Sequence, residues 1–237
     1  MAAAIAPILI ALASFVLRLV NLGATKGYIF DEVYYVDGAR DLLKYGVEVT
    51  GANPEFIVHP PVGKWLIAGG IAIFGDNEFG WRFATALIGT LLILVFARLV
   101  HVLFYSPLLT ALGAALMALD GLLLVHSRTA LLDLFLTFFI VVGVLLWQRD
   151  RHWWAGLAFG LALGCKWSAI YFIVAIALVA VYRILVKMDI RAAVKPLLTK
   201  FAQFGLLPIL VYLATWFGWF LSDRGWDRQS SSNPFIA

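Results

Sequence analysis

Charged residues are scarce in this chain of 237 residues. Asp, Glu, Lys and Arg make up 14% of it, and 63% of the residues are hydrophobic, whereas soluble domains carry about 25% charged residues. Several stretches near twenty residues long contain one charge or none, which is a pattern that a bilayer favours. The shortage of charge excludes a soluble globular domain and predicts an all-α polytopic membrane protein.

Cysteine is nearly absent, since Cys165 is the only one. A single cysteine excludes an internal disulfide framework and a cysteine-based zinc or iron–sulfur site. No second histidine stands at metal-ligand spacing from His59, so we predict no metal site and no cofactor, although the sequence does not decide whether a divalent ion assists. The basic residues fall mostly between apolar runs, which indicates orientation in a membrane and not nucleic-acid binding.

Seven apolar runs predict membrane-spanning helices. At 1.5 Å per residue they reach roughly 22 to 35 Å, close to the roughly 30 Å hydrocarbon core. The basic residues between positions 183 and 200 predict that this run is cytoplasmic, which places the N-terminus in the cytoplasm of a multi-pass plasma-membrane protein. The predicted spans are residues 3–22, 82–104, 107–126, 130–148, 151–165, 167–183 and 202–221.

Two segments allow a different division. Residues 64–74 are apolar but too short to cross a bilayer, so we predict an interfacial or re-entrant helix on the outer face. Residues 153–182 could form one long helix, but three glycines and Lys166 favour two short helices that meet at the lysine. The glycines, at positions 156, 160 and 164, are either a packing face or part of a functional site.

Polar residues concentrate in residues 23–81, which we predict to be an external catalytic loop. Within it, residues 31–46 have the pattern of an amphipathic helix. Asp31 and Glu32 open this helix, where a carboxylate either caps the helix N-terminus or acts as a general base at the membrane surface. The polar face of the helix is predicted to hold Asp37, Arg40, Asp41, Lys44 and Glu48.

Charges at or inside apolar spans are costly and mark candidate functional groups. Four cations are predicted at the outer boundary, where they suit a phosphate-bearing ligand. Arg128 and Asp133 could instead be a structural ion pair, and His59 could be a simple turn residue. The charges inside spans are Arg18, Arg82, Asp120, Arg128, Asp133 and Lys166, and the four cations are Lys64, Arg82, Arg128 and Lys166.

Five short motifs follow one another over about 140 residues. In this order and spacing they resemble the N-terminal half of the protein O-mannosyltransferases, in a variant similar to the actinobacterial type, within the GT-C class of glycosyltransferases. The motifs are FDE at 30–32, HPPVGK at 59–64, WRF at 81–83, ALDGLLLVHSRTALLD at 118–133 and CKWS at 165–168.

The resemblance implies a GT-C-type helix bundle that transfers mannose from polyprenyl-phosphate mannose to Ser or Thr hydroxyls of secretory polypeptides, with inversion. By motif position, Asp31 is the catalytic base, Glu32 orients the sugar or peptide, and Arg82 binds the donor phosphate. Membrane lipid, the secretion channel and a second copy are the other partners implied. The remaining site residues that the resemblance implies are His59, Lys64, Arg128, Asp133 and Lys166.

Members of this family are about twice as long, so residues 1–237 are expected to be one transmembrane glycosyltransferase domain, the N-terminal part of a longer enzyme. One alternative is a related GT-C transferase that moves another lipid-linked sugar to a lipid or polysaccharide. The second alternative is a transporter or lipid-binding membrane module, but we find no internal repeat and the polar groups cluster at one face.

Overall fold

The described part of the chain, residues 2–51 and 53–227 of a computed structural model, is helical apart from one short strand pair. The predicted all-α class is therefore confirmed. The strands β1 (Val49–Thr50) and β2 (Asn53–Pro54) pair antiparallel. The helices are α1 (Ala2–Leu19), α2 (Glu32–Tyr45), α3 (Val62–Phe74), α4 (Glu78–Phe104), α5 (Pro107–Leu119), α6 (Gly121–His126), α7 (Leu132–Gln148), α8 (His152–Leu163), α9 (Ala169–Leu185), α10 (Ile190–Phe201), α11 (Leu207–Thr215) and α12 (Phe217–Leu221).

Two helices among the described residues are long and apolar enough to cross a membrane, judged by length and composition. They are α4 and the continuous helix Ile190–Thr215, in which a π-helical turn, Ala202–Leu206, joins α10 to α11. Helices α3, α5, α7 and α9 and most of α1 are apolar but shorter. These apolar helices support a membrane protein, while the count of seven spans and their orientation stay predictions.

The predicted span 107–126 is interrupted at Asp120, so it is two helices and not one. The side chain of Asp120 accepts a hydrogen bond from the backbone N–H of Leu123 at 2.6 Å and thereby caps the start of α6. A carboxylate at this position satisfies one of the free N–H groups of a helix start. Asp120 therefore has a structural role in the described chain.

The helix predicted at 202–221 begins earlier, at Ile190, and ends at Thr215. The predicted boundary was wrong because the basic residues of α10 alternate with apolar ones at helical spacing, so that Ala193 is buried while Lys195 is exposed. Basic residues on one face do not end a helix. The basic run is therefore partly helical and not a simple loop.

The predicted short helices are present, while the placement of the first of them, residues 64–74, at the outer face stays a prediction. Residues 64–74 lie in the 13-residue helix α3, and residues 153–182 are divided into α8 and α9 by a turn that contains Lys166. The glycines of α8 serve close packing: Gly156 faces the carbonyl of Gln203, and a side chain at Gly160 would meet Val211. The packing interpretation of these glycines is the one that the structure supports.

Helix α4 is the element around which the others are arranged. It packs against α1, α3, α5 and α7, while α7 packs on α8 and α8 on α11. Gly70 of α3 lies against the carbonyl of Gly80 in α4, so only glycine allows this approach. Helix α2 packs on α3. The starts of α2, α3 and α4 are thereby brought together with the turns before α7 and α9.

Candidate functional site

The backbone at the first motif is unusual. Phe30 has φ +52°, a left-handed conformation that is uncommon for a residue with a side chain. Asp31 occupies the N-cap position of α2, but its side chain accepts no bond from the first N–H groups of that helix, all of which belong to the described chain. It accepts a hydrogen bond from the Tyr35 hydroxyl instead, at 3.2 Å. The capping interpretation of Asp31 is therefore wrong.

Glu32 is completely buried, with 0% of its surface exposed. Its two carboxylate oxygens accept hydrogen bonds from Nε and Nη2 of Arg82, at 2.8 and 2.7 Å. They also accept from the backbone N–H groups of Ile29 and Ala130, each at 2.7 Å. This carboxylate is thus held by four donors from three separate segments of the chain, which fixes the start of α2 against α4 and the turn before α7.

Arg82 is 1% exposed and uses all of its donors within the protein. Besides Glu32, its guanidinium donates to the backbone carbonyls of Leu22 and Thr25 through Nη1 and of Gly27 through Nη2, at 2.8 to 3.4 Å. A guanidinium has five N–H groups, and these contacts occupy them. The arrangement differs from the expected direct contact with a donor phosphate, because it leaves Arg82 no free N–H group.

Lys64 forms a second buried ion pair. Its ammonium donates to both oxygens of Glu48, at 2.6 and 2.7 Å, and to the carbonyl of His59 at 3.3 Å. The prediction that Glu48 lies on the polar face of a helix was wrong, because α2 ends at Tyr45 and the chain turns Glu48 inward. Burial raises the pKa of Glu48, and Lys64 opposes this effect.

The helix α2 makes room for Glu48 at Gly38. A side chain at this position would place its Cβ 2.7 Å from Glu48 Oε2 and 3.0 Å from Lys64 Cδ. Glycine in the middle of a helix has a conformational cost of about 1 kcal/mol, so its presence here has a packing reason. The buried pairing of Lys64 with Glu48 was not predicted. The signal in the sequence that could have indicated it is Gly38, a glycine in the middle of a predicted helix.

Asp133 pairs with Lys166 and not with Arg128. The ammonium of Lys166 is 2.9 and 3.0 Å from the two oxygens of Asp133. Arg128 donates through Nη1 to the carbonyls of Leu17 and Arg18, at 2.9 Å each, and so caps the C-terminal end of α1. The structural pair suggested between Arg128 and Asp133 was therefore wrong. A cation at a helix C-terminus is favourable because it meets free carbonyl groups.

His59 lies among these groups. Its ring centre is 5.8 Å from that of Tyr35. Burial lowers the pKa of His59, and the positive charges of Lys166 and Lys64 lower it further. The turn after His59 is held by a hydrogen bond of 2.9 Å from Val62 N–H to the carbonyl of Gly164, in the turn between α8 and α9. This bond joins the second motif to the residue directly before the last one.

A cleft of about 190 Å³ opens beside Asp31. Its walls combine carboxylates, cations and aromatic rings, and the exposed rings of Tyr34 and Phe56 stand at its surface. Asp31 faces this cleft, whereas Glu32 is not among its lining residues. The lining consists of Asp31, Tyr34, Tyr35, Glu48, Glu55, Phe56, Val58, His59 and Lys64.

A further ion pair was not predicted. Arg40 of α2 donates through Nε and Nη2 to both oxygens of Asp76, at 2.8 to 3.1 Å, and the indole N–H of Trp81 donates to the same carboxylate at 2.6 Å. The hydrogen bonds from Arg40 are the main reason why the pKa of Asp76 lies below its usual value. This pair joins α2 to the segment before α4 at an exposed position.

Most of the predicted site residues come together at this end of the bundle. Arg128 lies two residues before Ala130, whose N–H binds Glu32. Arg18 is buried within α1 and donates to Ser14, away from the cleft lining. Among the described residues, no group of three or more His, Cys, Asp or Glu side chains is arranged to hold a metal ion. The cleft offers two accessible carboxylates, Asp31 and Glu55, and Asp31 is the one that lies beside the buried pair of Glu32 and Arg82.

Comparisons with known proteins give similarities over most of the chain. A family model described as dolichyl-phosphate-mannose-protein mannosyltransferase matches residues 58–219. A polyprenol-phosphate-mannose–protein mannosyltransferase of Mycobacterium tuberculosis is 36% identical over 266 residues, covering 94% of this chain and 50% of its own length. One from Corynebacterium glutamicum is 30% identical over 252 residues, covering 88% of this chain and 48% of its own length.

A shorter similarity reaches another kind of transferase. An undecaprenyl phosphate-alpha-4-amino-4-deoxy-L-arabinose arabinosyl transferase of Pseudomonas fluorescens is 35% identical over 91 residues, which is 38% of this chain and 17% of that protein. The chain thus spans about half the length of the curated mannosyltransferases that it matches.

Proposed function

Because this chain belongs to the dolichyl-phosphate-mannose-protein mannosyltransferase family, we propose that it carries the reaction site of an enzyme that transfers mannose from polyprenyl-phosphate mannose to Ser or Thr hydroxyls of secretory polypeptides. The observation that carries the proposal is the position of Asp31, whose carboxylate faces the cleft while the neighbouring Glu32 is immobilised. Residues 23–81 are the catalytic loop of this transmembrane domain.

In the proposed reaction, the acceptor hydroxyl enters the cleft beside Asp31. Its oxygen forms a bond to the anomeric carbon of mannose from the face opposite the phosphate, while the bond from that carbon to the phosphate oxygen breaks. The hydroxyl proton passes to the Asp31 carboxylate, and the electron pair of the broken bond leaves with the polyprenyl phosphate. Attack from the opposite face inverts a β-linked donor to an α-mannoside.

Arg82 and Glu32 act in this proposal as positioning residues. A buried carboxylate held by an arginine and two backbone N–H groups cannot rotate, so it fixes the backbone from which Asp31 projects. Exact placement of a base is worth large rate factors, because small displacements remove the productive geometry. The direct contact between Arg82 and the donor phosphate, which the resemblance implies, is replaced by this indirect role.

The donor phosphate is assigned to Lys166 and Arg128. Lys166 gives two of its three N–H groups to Asp133, and its side chain is a quarter exposed. Arg128 commits only Nη1 to protein acceptors within the described chain. Both cations thus retain donors that can stabilise the negative charge on the leaving phosphate. Lys64 is excluded from this role, because Glu48 and the His59 carbonyl occupy its ammonium.

The proposed location is the external face of the plasma membrane, with the N-terminus in the cytoplasm. The basic residues at positions 183–200 support this orientation. The site then lies at the outer boundary, where a lipid-linked donor enters from the bilayer and a polypeptide arrives from outside. A second copy of the chain or the secretion channel is a further partner in this proposal.

The test is transfer by the full-length enzyme in membranes, with polyprenyl-phosphate mannose and a serine-rich peptide. Asp31→Asn removes the proton acceptor and keeps the shape, so we expect the rate to fall roughly 100- to 10,000-fold. Asp37→Asn, on the exposed side of the same helix, is the matched control and should retain most of the rate. Undiminished transfer by the Asp31 variant would refute the assignment of the base.

A second candidate is transfer of another lipid-linked sugar, which the similarity to the arabinosyl transferase of Pseudomonas fluorescens favours. Competition between polyprenyl-phosphate mannose and undecaprenyl-phosphate aminoarabinose decides between the two. If only polyprenyl-phosphate mannose is consumed, the result supports the first proposal. Consumption of the aminoarabinose donor alone supports the second.

A further inference from the structure

A larger cavity lies between α9 and the continuous helix Ile190–Thr215, apart from the cleft at Asp31. We call it the α9–α10 groove. Its volume is about 630 Å³, within the range of about 300 to 1,000 Å³ that small-molecule sites occupy. The lining is apolar except for Lys200. It consists of Leu163, Ile170, Ile173, Val174, Ala177, Val181, Val194, Leu197, Leu198, Lys200, Phe201, Phe204, Gly205, Pro208 and Ile209.

The π-helical turn Ala202–Leu206 packs against both α8 and α9 and contributes Phe204 and Gly205 to the wall of the groove. Phe204, in that turn, is buried and packs edge-to-face against Phe159 and His152. Gly205, which follows it, adds no side chain to the groove. Much of the lining is exposed, including Val174, Leu198 and Phe201, so the groove opens at the apolar surface of the protein.

The one polar group of the groove is positively charged. Lys200 is half-buried, donates to the Gln203 side chain at 3.0 Å and lies 5.7 Å from the centre of the Phe204 ring. One hydrogen bond to Gln203 leaves two N–H groups of the ammonium for another acceptor. An anionic or strongly polar acceptor at these groups would further lower the cost of the half-buried charge.

A second basic side chain lies at the same end of the groove. The ring of His152, at the start of α8, packs on Phe204. Asp150, 3.8 Å from His152, is the acidic group at this end. The combination of an apolar groove open to the bilayer and the ammonium of Lys200 at its wall matches an acyl chain joined to a phosphate.

We propose that the α9–α10 groove binds an anionic phospholipid, with one acyl chain along α9 and the phosphate at Lys200. The charge of the groove favours this occupant: Asp150 is the acidic group that acts on Lys200 within the described chain, and a neutral lipid or a further apolar helix would fill the cavity without adding negative charge beside the ammonium. The site is separate from the cleft that holds the acceptor and donor sugar. It gives the protein a dependence on lipid composition that its transfer chemistry does not require.

The test is native mass spectrometry of the purified full chain titrated with phosphatidylglycerol, and with phosphatidylcholine of the same acyl chains. Wild type should bind phosphatidylglycerol about tenfold more tightly than phosphatidylcholine. Lys200→Gln should lower the affinity for phosphatidylglycerol about fivefold, since a lysine near a headgroup contributes about that factor. Lys195→Gln, on an exposed position of the same helix, is the matched control and should change the affinity less than twofold. Lys200→Arg should keep the preference.

A second variant tests the groove itself. Ala177→Phe places a ring in the cavity, so it should abolish retention of both lipids, while Lys200→Gln should leave phosphatidylcholine binding unchanged. Equal affinity of wild type for the two lipids, or equal effects of Lys200→Gln and Lys195→Gln, would overturn the proposal. Retention of phosphatidylglycerol by Ala177→Phe would also overturn it, and so would a groove closed by another copy of the chain.

Discussion

Helix α2 is joined to the start of α4 at two points by the same chemistry in different surroundings. Glu32 and Arg82 form a two-pronged pair that is fully buried, whereas Arg40 and Asp76 form a similar pair at the surface, with about a third and a half of their side chains exposed. In water the attraction of such a pair is weak, but a buried charge depends on its partner. We call Glu32 with Arg82 the inner pair and Arg40 with Asp76 the outer pair. The comparison predicts that only the inner pair determines the geometry of the site.

The largest effect is expected at Arg82. Arg82→Gln leaves Glu32 as an uncompensated buried charge, so we expect unfolding to become easier by about 3 to 5 kcal/mol. The measurement is the free energy of unfolding in a detergent titration. Arg40→Gln is the control at the outer pair. If both variants lose the same stability, burial does not distinguish the two pairs.

The buried pair of Lys64 and Glu48 should come next. Lys64→Met removes the partner of Glu48 and should cost about 3 kcal/mol, the lower end of the range for buried pairs, because burial already favours the protonated carboxyl group. Adding Glu48→Gln should recover most of this loss, since the buried charge is then gone. A double variant as unstable as Lys64→Met would show that packing, and not charge, causes the loss.

Gly38 tests the space around that pair. Gly38→Ala puts a methyl group 2.7 Å from the Glu48 carboxylate, which should destabilise the protein by about 1 to 3 kcal/mol. Gly69→Ala in α3 is the matched control, because nothing lies within 4 Å of a Cβ there. It should be neutral or stabilise by up to about 1 kcal/mol. Thermal unfolding of the two variants distinguishes a steric effect from helix propensity.

The smallest effect belongs to the outer pair. Arg40→Gln should cost no more than about 1 kcal/mol near neutral pH, and less in high salt. Because Arg40 lowers the pKa of Asp76, the wild type has this stability above the ordinary value of 3.8 and loses it as the pH falls through the lowered pKa. Melting curves between about pH 6 and 3 should therefore converge for the two proteins. A constant difference over this range would contradict the assignment.

The sequence predicted those features that depend on local patterns. Alternation of polar and apolar residues predicted α2, and the short length of the apolar run predicted α3. Lys166 within an apolar stretch predicted the turn between α8 and α9. These signals lie within one or two helical turns, where side-chain period and helix length decide the structure.

The pairing of charges could not be read in this way. Arg82 binds residues between 50 and 60 positions away, and Glu48 reaches Lys64 across a strand pair that has no strong sequence signal. The cap formed by Asp120 could not be predicted, because a carboxylate in an apolar run suits both a functional site and a helix cap. Spatial neighbours of a charge are set by the packing of helices and not by spacing along the chain.

The hydrogen bond from Ala130 to Glu32 limits how early during synthesis the site around Asp31 can be complete. It joins residues 98 positions apart. At about 5 to 20 residues per second, a ribosome takes roughly 5 to 20 seconds to make that stretch. During this interval the Glu32 carboxylate lacks the hydrogen bond from Ala130, so the loop that carries Asp31 is not yet fully held in place. The order of synthesis therefore delays the final placement of Asp31 until α6 has been made.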